Sequence, residues 1–126
     1  MPAMSSAEDI TQTVNRYIEL LAKGNADDIA ALYSNDATVE DPVGTEVRRG
    51  RDAIRGLYAD IGDYDRDSEL VWFLVAGREA AFLCRVTVTD GNSRRRIEGN
   101  DVMSFDKDAK ITSMKAYWGP DSVTQL

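Results

Sequence analysis

An α+β fold is predicted by one change of rhythm in the sequence. Up to about Ile61 the apolar residues recur at helical spacing, and from Glu69 onward they alternate every second residue. The segments between the alternating runs, Ala76-Gly-Arg-Glu79, Asp90-Gly-Asn-Ser93 and Asp106-Lys-Asp-Ala-Lys110, carry the turn residues that join antiparallel neighbours. Helices followed by a meander place the helices on one face of a curved antiparallel sheet.

The first helix is expected over residues 7–23, with Ser6 as its N-cap and Gly24 as its stop. Ile10, Val14, Tyr17, Ile18 and Leu21 fall within an arc of roughly 100°, so Tyr17 belongs to the buried stripe. Asn25 opens a second short helix through about residue 34, burying Ile29, Leu32 and Tyr33. A short strand, Ala37-Thr-Val-Glu-Asp41, runs into Pro42, and residues 44–50 read as a loop. A third helix over 52–61 turns Ile54, Leu57, Tyr58 and Ile61 inward. Four strands follow at about 70–76, 80–90, 94–106 and 110–118. Asp63-Tyr-Asp-Arg-Asp-Ser-Glu69 begins like a calcium loop, but Ser68 stands where glycine is needed and Leu74 where glutamate is needed, so it reads as a solvated loop. Gly44 and Gly50 make no phosphate-binding pattern.

The 126 residues suffice for a single domain, 1–126, with its core over about 7–119. A net charge of −7 disfavours nucleic acid as a partner, because that surface requires a basic face. The one dense basic run, Arg94-Arg95-Arg96, follows a turn signal and reads as a solvated hairpin arm. The single cysteine, Cys84, excludes a disulfide framework, suits a reducing compartment and reads as a buried, inert thiol. No signal segment and no apolar run near 18 residues is visible, so a cytoplasmic protein without membrane insertion is expected.

The chain contains no histidine. Nucleophile activation by imidazole and the usual imidazole metal ligand are therefore excluded, and acid–base work falls to carboxylates, tyrosines, lysines or the thiol. Two aspartates occupy unusual places. Asp41 shares its strand face with Ala37 and Val39, and Asp101 shares a face with Ile97, Gly99, Met103 and Phe105. An Asp before Pro-Val-Gly also fits a plain turn cap. On the neighbouring strands Phe82, Cys84, Val86 and Val88, and Met114, Ala116 and Trp118, are placed with Val39 and Met103 to line a hydrophobic cavity. A carboxyl buried there resists ionisation and can stay protonated as a donor. Tyr17, Tyr33 and Tyr58 point inward, either as core filler with satisfied hydroxyls or as part of a site.

Four segments in register, Asn15-Arg-Tyr-Ile18, Ala37-Thr-Val-Glu-Asp-Pro-Val-Gly44, Ala53-Ile-Arg-Gly-Leu-Tyr58 and Asp101-Val-Met-Ser-Phe105, resemble the bacterial steroid Δ5-isomerases, or ketosteroid isomerases, over about residues 7–119. The resemblance implies a cone-shaped nuclear-transport-factor-2-like fold, a homodimer, a hydrophobic steroid ketone as substrate, and no cofactor or metal. By position it makes Asp41 the proton-shuttling base and Tyr17 with protonated Asp101 the oxyanion hole, with Tyr58 and Tyr33 extending the network behind Tyr17. A carboxylic acid held neutral in this role is a worked case of general enzymology. Two features depart from the family. Glu98-Gly-Asn100 is more polar than expected, and Trp118 is bulkier than the phenylalanine of some relatives. A non-catalytic binding or dimerisation module is the rival, since fold does not fix function. Another enzyme on this fold, an epoxide hydrolase or polyketide cyclase, is a third reading, but its water-positioning cluster is not visible in the sequence beyond Asp41 and Asp101.

Overall fold

Helix α1 (Ala7–Lys23) starts where Ser6 accepts a hydrogen bond from the Asp9 amide at 3.1 Å while the Asp9 carboxylate accepts from the Ser6 amide at 3.3 Å. This reciprocal cap contributes about 1 kcal/mol over an alanine start. The helix stops at Gly24, where a Cβ would stand 2.6 Å from the Leu20 side chain, so only glycine fits. The computed structural model describes residues 6–126. After α1 come α2 (Ala26–Ala30), β1 (Tyr33–Glu40), β2 (Arg48–Arg49), α3 (Arg51–Ala59), β3 (Asp65–Ala76), β4 (Glu79–Asp90), β5 (Ser93–Phe105), β6 (Ile111–Tyr117), a 3-10 turn (Pro120–Ser122) and β7 (Val123–Gln125).

The strands form one mixed sheet in the order β2-β1-β6-β5-β4-β3, with β7 beside β5. All pairings are antiparallel except β1 with β6, which is parallel. Both tight hairpins fall where the turn residues lie. Gly77 and Gly91 take positive φ, which an L side chain rarely adopts, as the first of two turn residues. The sheet is curved and open. Its concave face carries Phe82, Cys84, Met103, Met114 and Ala116, and packs on Ile10, Val14, Tyr17, Ile18 and Leu21 of α1. Arg66 of β3 donates to the carbonyl of Gly24 at 2.6 Å, tying the end of α1 to the sheet.

Three expectations require correction. The second helix does not reach residue 34. It ends at Ala30, and Tyr33 opens β1 because its backbone pairs in parallel with Ile111, a long-range partner that local sequence cannot reveal. The first strand of the meander starts at Asp65 rather than near residue 70. The exposed, polar first half reads as loop, yet Asp65, Arg66 and Asp67 pair with Thr89, Val88 and Thr87. The short strand β2 lies in the segment 44–50 read as a loop and owes its pairing to β1, and β7 follows the last expected strand and owes its pairing to β5. Among the described residues no helix is long and apolar enough to cross a membrane.

Candidate active site

The helices leave part of the concave face uncovered, and a largely apolar cavity of about 190 Å³ opens there. Tyr17 from the third turn of α1, Tyr58 from α3, Asp41 just past β1, Asp101 from β5, and Val86, Val88, Ala116 and Trp118 from the sheet all line it. Tyr33 stands behind them, fully buried. Val39, Phe82, Met103 and Met114, expected at the cavity wall, are instead core residues at 0–1% exposure and do not line it. Alternation names their face correctly, but at their level along the strands helices and neighbouring rings close over it. The Phe82 ring, for example, packs edge-on against Tyr17 with centroids 6.3 Å apart.

The three tyrosine hydroxyls form a chain. Tyr17 and Tyr58 are 3.0 Å apart, and Tyr58 and Tyr33 are 2.7 Å apart. Burial raises all three above the ordinary tyrosine range, and the mutual proximity of the phenols adds to the rise for Tyr17 and Tyr33. They are donors throughout the accessible pH range.

The two carboxyls differ in surroundings. Asp101 is 4% exposed, the one buried charged residue among those described. Burial first, and the nearby negative charge of Asp41 second, push its pKa well above the usual carboxylate range, while a contact from the Cys84 thiol at 3.8 Å acts the other way. Asp41 is half-buried at the mouth. Burial raises its pKa as well, opposed by the Trp118 indole, which donates to Oδ1 at 2.7 Å, and by the Arg48 guanidinium. One carboxyl whose pKa is pushed well above the usual range and one whose rise is opposed by a donor and a cation therefore face the same apolar space. Asp41 also borders a polar cleft lined by Thr45, Glu46, Arg48 and Arg49.

Cys84, Ile97 and Gly99 line the cavity from the strand faces the sequence turns inward, while the helical part of the wall, Leu21, Leu57 and Ile61, was read only as core. The signal was present, since each lies on an apolar stripe or strand face that periodicity turns inward. The indole-to-carboxylate bond between Trp118 and Asp41 had no such signal, because it joins residues 77 positions apart.

The sequence profile of the SnoaL-like domain matches residues 14–114. The chain belongs to the SnoaL-like family. A relative from Nocardioides simplex, a "Steroid Delta-isomerase", is 42% identical over 112 residues, covering 89% of this chain and 91% of the relative. Among solved structures, the epoxide hydrolase/cyclase-like enzyme SalBIII, of pyran ring formation in polyether salinomycin, superposes with a TM-score of 0.90 at 27% identity. The match covers 98% of this chain and all of that one. RV0760c from Mycobacterium tuberculosis superposes with a TM-score of 0.86 at 16% identity over the same shares, a likeness of fold. This SnoaL-like domain thus has the nuclear-transport-factor-2-like architecture implied by its sequence segments, with an open curved sheet and N-terminal helices.

Proposed function

We propose that this protein is a steroid Δ5-isomerase, moving the C=C bond of a 3-oxo-Δ5-steroid into conjugation at Δ4 by proton transfer through a dienolate. The observation that carries the reading is the convergence of Asp41, Asp101 and Tyr17 on one apolar cavity, in a chain 42% identical to a steroid Delta-isomerase. The ketone oxygen lies between the Tyr17 hydroxyl and the protonated Asp101 carboxyl. Tyr58 donates to Tyr17 and Tyr33 to Tyr58, which frees the Tyr17 proton for the substrate. Asp41, ionised and held by Trp118 through one oxygen, removes the proton beside the ketone with the other and returns it two carbons away. Charge gathers on the ketone oxygen in the transition state, and buried donors already in place stabilise it most where water is scarce. No cofactor or metal enters this route. The test is growth of the conjugated-enone absorbance when purified protein meets a 3-oxo-Δ5-steroid. No growth at micromolar enzyme removes the reading.

A second reading, opening of an epoxide, is favoured by the polar cleft beside Asp41 and by the likeness to SalBIII. In it Asp101 or Tyr17 protonates the epoxide oxygen while Asp41 takes a proton from an attacking hydroxyl or water. Turnover of an epoxide with no enone product would select it.

The protein also acts as a homodimer in this reading. Cross-strand rows on the outer sheet face place Trp72, Leu83, Asn100 and Tyr117 side by side, next to Leu74, Ala81, Val102 and Lys115. Trp72, Leu74 and Tyr117 are 44%, 68% and 48% exposed, a contiguous apolar surface with a single charge, suited to a second copy.

A further inference from the structure

Asp101 needs more than a proton to serve as a donor, since the proton must sit on the oxygen that faces the substrate. Among the described residues, one side chain stands within hydrogen-bonding distance of its carboxyl, the Cys84 thiol, with Sγ 3.8 Å from Oδ2. The tyrosine hydroxyls bond to one another and not to Asp101. The sheet register explains the contact. Asp101 lies opposite Phe82 on β4 and Ala116 on β6, and neither side chain has a polar atom. Cys84 lies opposite Gly99, which has no side chain, so nothing separates the thiol from the carboxyl diagonally across the ladder. The Gly99 position is itself tight, since a Cβ there would touch Trp118 at 3.4 Å. Cys84 and Gly99 thus leave the space that cavity, thiol and indole share, and both line it.

We infer that Cys84 is a positioning residue for the Asp101 acid: its S–H donates to Oδ2, making Oδ2 the acceptor oxygen and leaving the acid proton on Oδ1 for the ligand's oxygen. An S–H is a weak donor, but in a buried site with no competing partner a weak donor decides between two otherwise equivalent oxygens. A hydroxyl on the shorter C–O bond keeps the donor and loses reach. Valine keeps bulk and loses the donor. The catalytic part of this inference rests on the isomerase reading, and the contact itself does not.

Two measurements test it. Because Cys84 is the only cysteine in the chain, its S–H stretch is a single assignable infrared band. It is expected at lower frequency than a free thiol, moving toward the free-thiol position in Asp101→Leu and moving again when a phenolic steroid binds. A band at the free position that ignores Asp101→Leu overturns the contact, whether or not the protein turns steroid over. In kinetics, Cys84→Val and Cys84→Ala should lower kcat roughly threefold to tenfold, the size of a weak neutral hydrogen bond, with KM within about twofold and only partial recovery in Cys84→Ser, whose hydroxyl falls short of Oδ2. Wild-type kcat in the Val and Ala variants, or losses confined to KM, overturns the positioning role. A displaced thiol band in a protein with no isomerase activity removes the functional reading and keeps the contact.

Discussion

Removing the central hydroxyl of the tyrosine chain separates a bonded network from three independent phenols. In Tyr58→Phe both bonds, 3.0 Å to Tyr17 and 2.7 Å to Tyr33, are lost together. The consequences at the two ends differ. Tyr17 lines the cavity, so its hydroxyl recovers a partner there at little cost, whereas Tyr33 is 0% exposed and its hydroxyl is left buried and unpaired. An orphaned buried hydroxyl costs about 1–3 kcal/mol, and that is the expected loss of stability. Tyr33→Phe removes the far hydroxyl while Tyr58 keeps Tyr17, so its cost is an ordinary bond, about 1 kcal/mol. The double variant leaves nothing orphaned and should be no less stable than Tyr58→Phe alone, a coupling of about 1 kcal/mol or more between neighbours. Urea unfolding of the four proteins at one fixed concentration, followed by circular dichroism, gives the cycle from midpoints at a common slope. If the single losses add within about 0.5 kcal/mol, the phenols are independent and the network has no energetic meaning.

Asp41→Asn keeps the shape and removes the base, so turnover should fall by orders of magnitude while affinity for a phenolic steroid holds or improves, as titration of the variant would show. In wild type, kcat/KM should fall only toward acid, with a midpoint above the ordinary Asp value because burial raises Asp41, and with no bend from a histidine; initial rates against pH at low substrate decide this. Asp101 predicts a stability slope. Its folded pKa is raised, so the fold binds a proton that the unfolded chain releases, and the contribution of Asp101 to stability is greatest below about 3.9 and is lost as pH climbs toward the folded value. Asp101→Asn should therefore gain on wild type between acid and neutral pH in urea titrations, and should retain more kcat than Asp101→Leu. Leu74→Glu on the outer sheet face should shift a gel-filtration dimer to monomer, and an unchanged elution volume would move the interface elsewhere.

The parts of this fold visible in the sequence are those whose cause is local. Ser6, Gly24, Gly77 and Gly91 mark ends and turns through their own backbone chemistry, and period-two alternation alone puts Asp101 on the inner face. The parts not visible have causes elsewhere in the chain. Tyr33 looks helical until Ile111 offers it a parallel partner, and Asp65–Asp67 look like loop until β4 runs long enough to pair with them. The cavity shows the same division. Alternation identifies the face but not how far the helices cover it, which is why Phe82 and Met103 belong to the core while Cys84 and Gly99 form wall. The polar cleft beside Asp41 leaves no trace in the sequence, because it comes from a loop whose side chains share no periodicity.

That cleft also bears on how the base fares once the cavity is filled. A flat apolar ligand drives water from one side of Asp41, and complete enclosure would push a carboxylate toward its neutral, useless form. Here desolvation is partial. A ligand in the cavity would cover Asp41 on the side of Tyr17 and Asp101, while Asp41 also borders Thr45, Glu46 and Arg48, and Trp118 donates to Oδ1. The pull of Arg48 and the indole on the anion therefore persists in the occupied site. In the proposed isomerisation the carboxylate would lose enough water to become a stronger base toward carbon, while the donor and the cation still favour its ionised form.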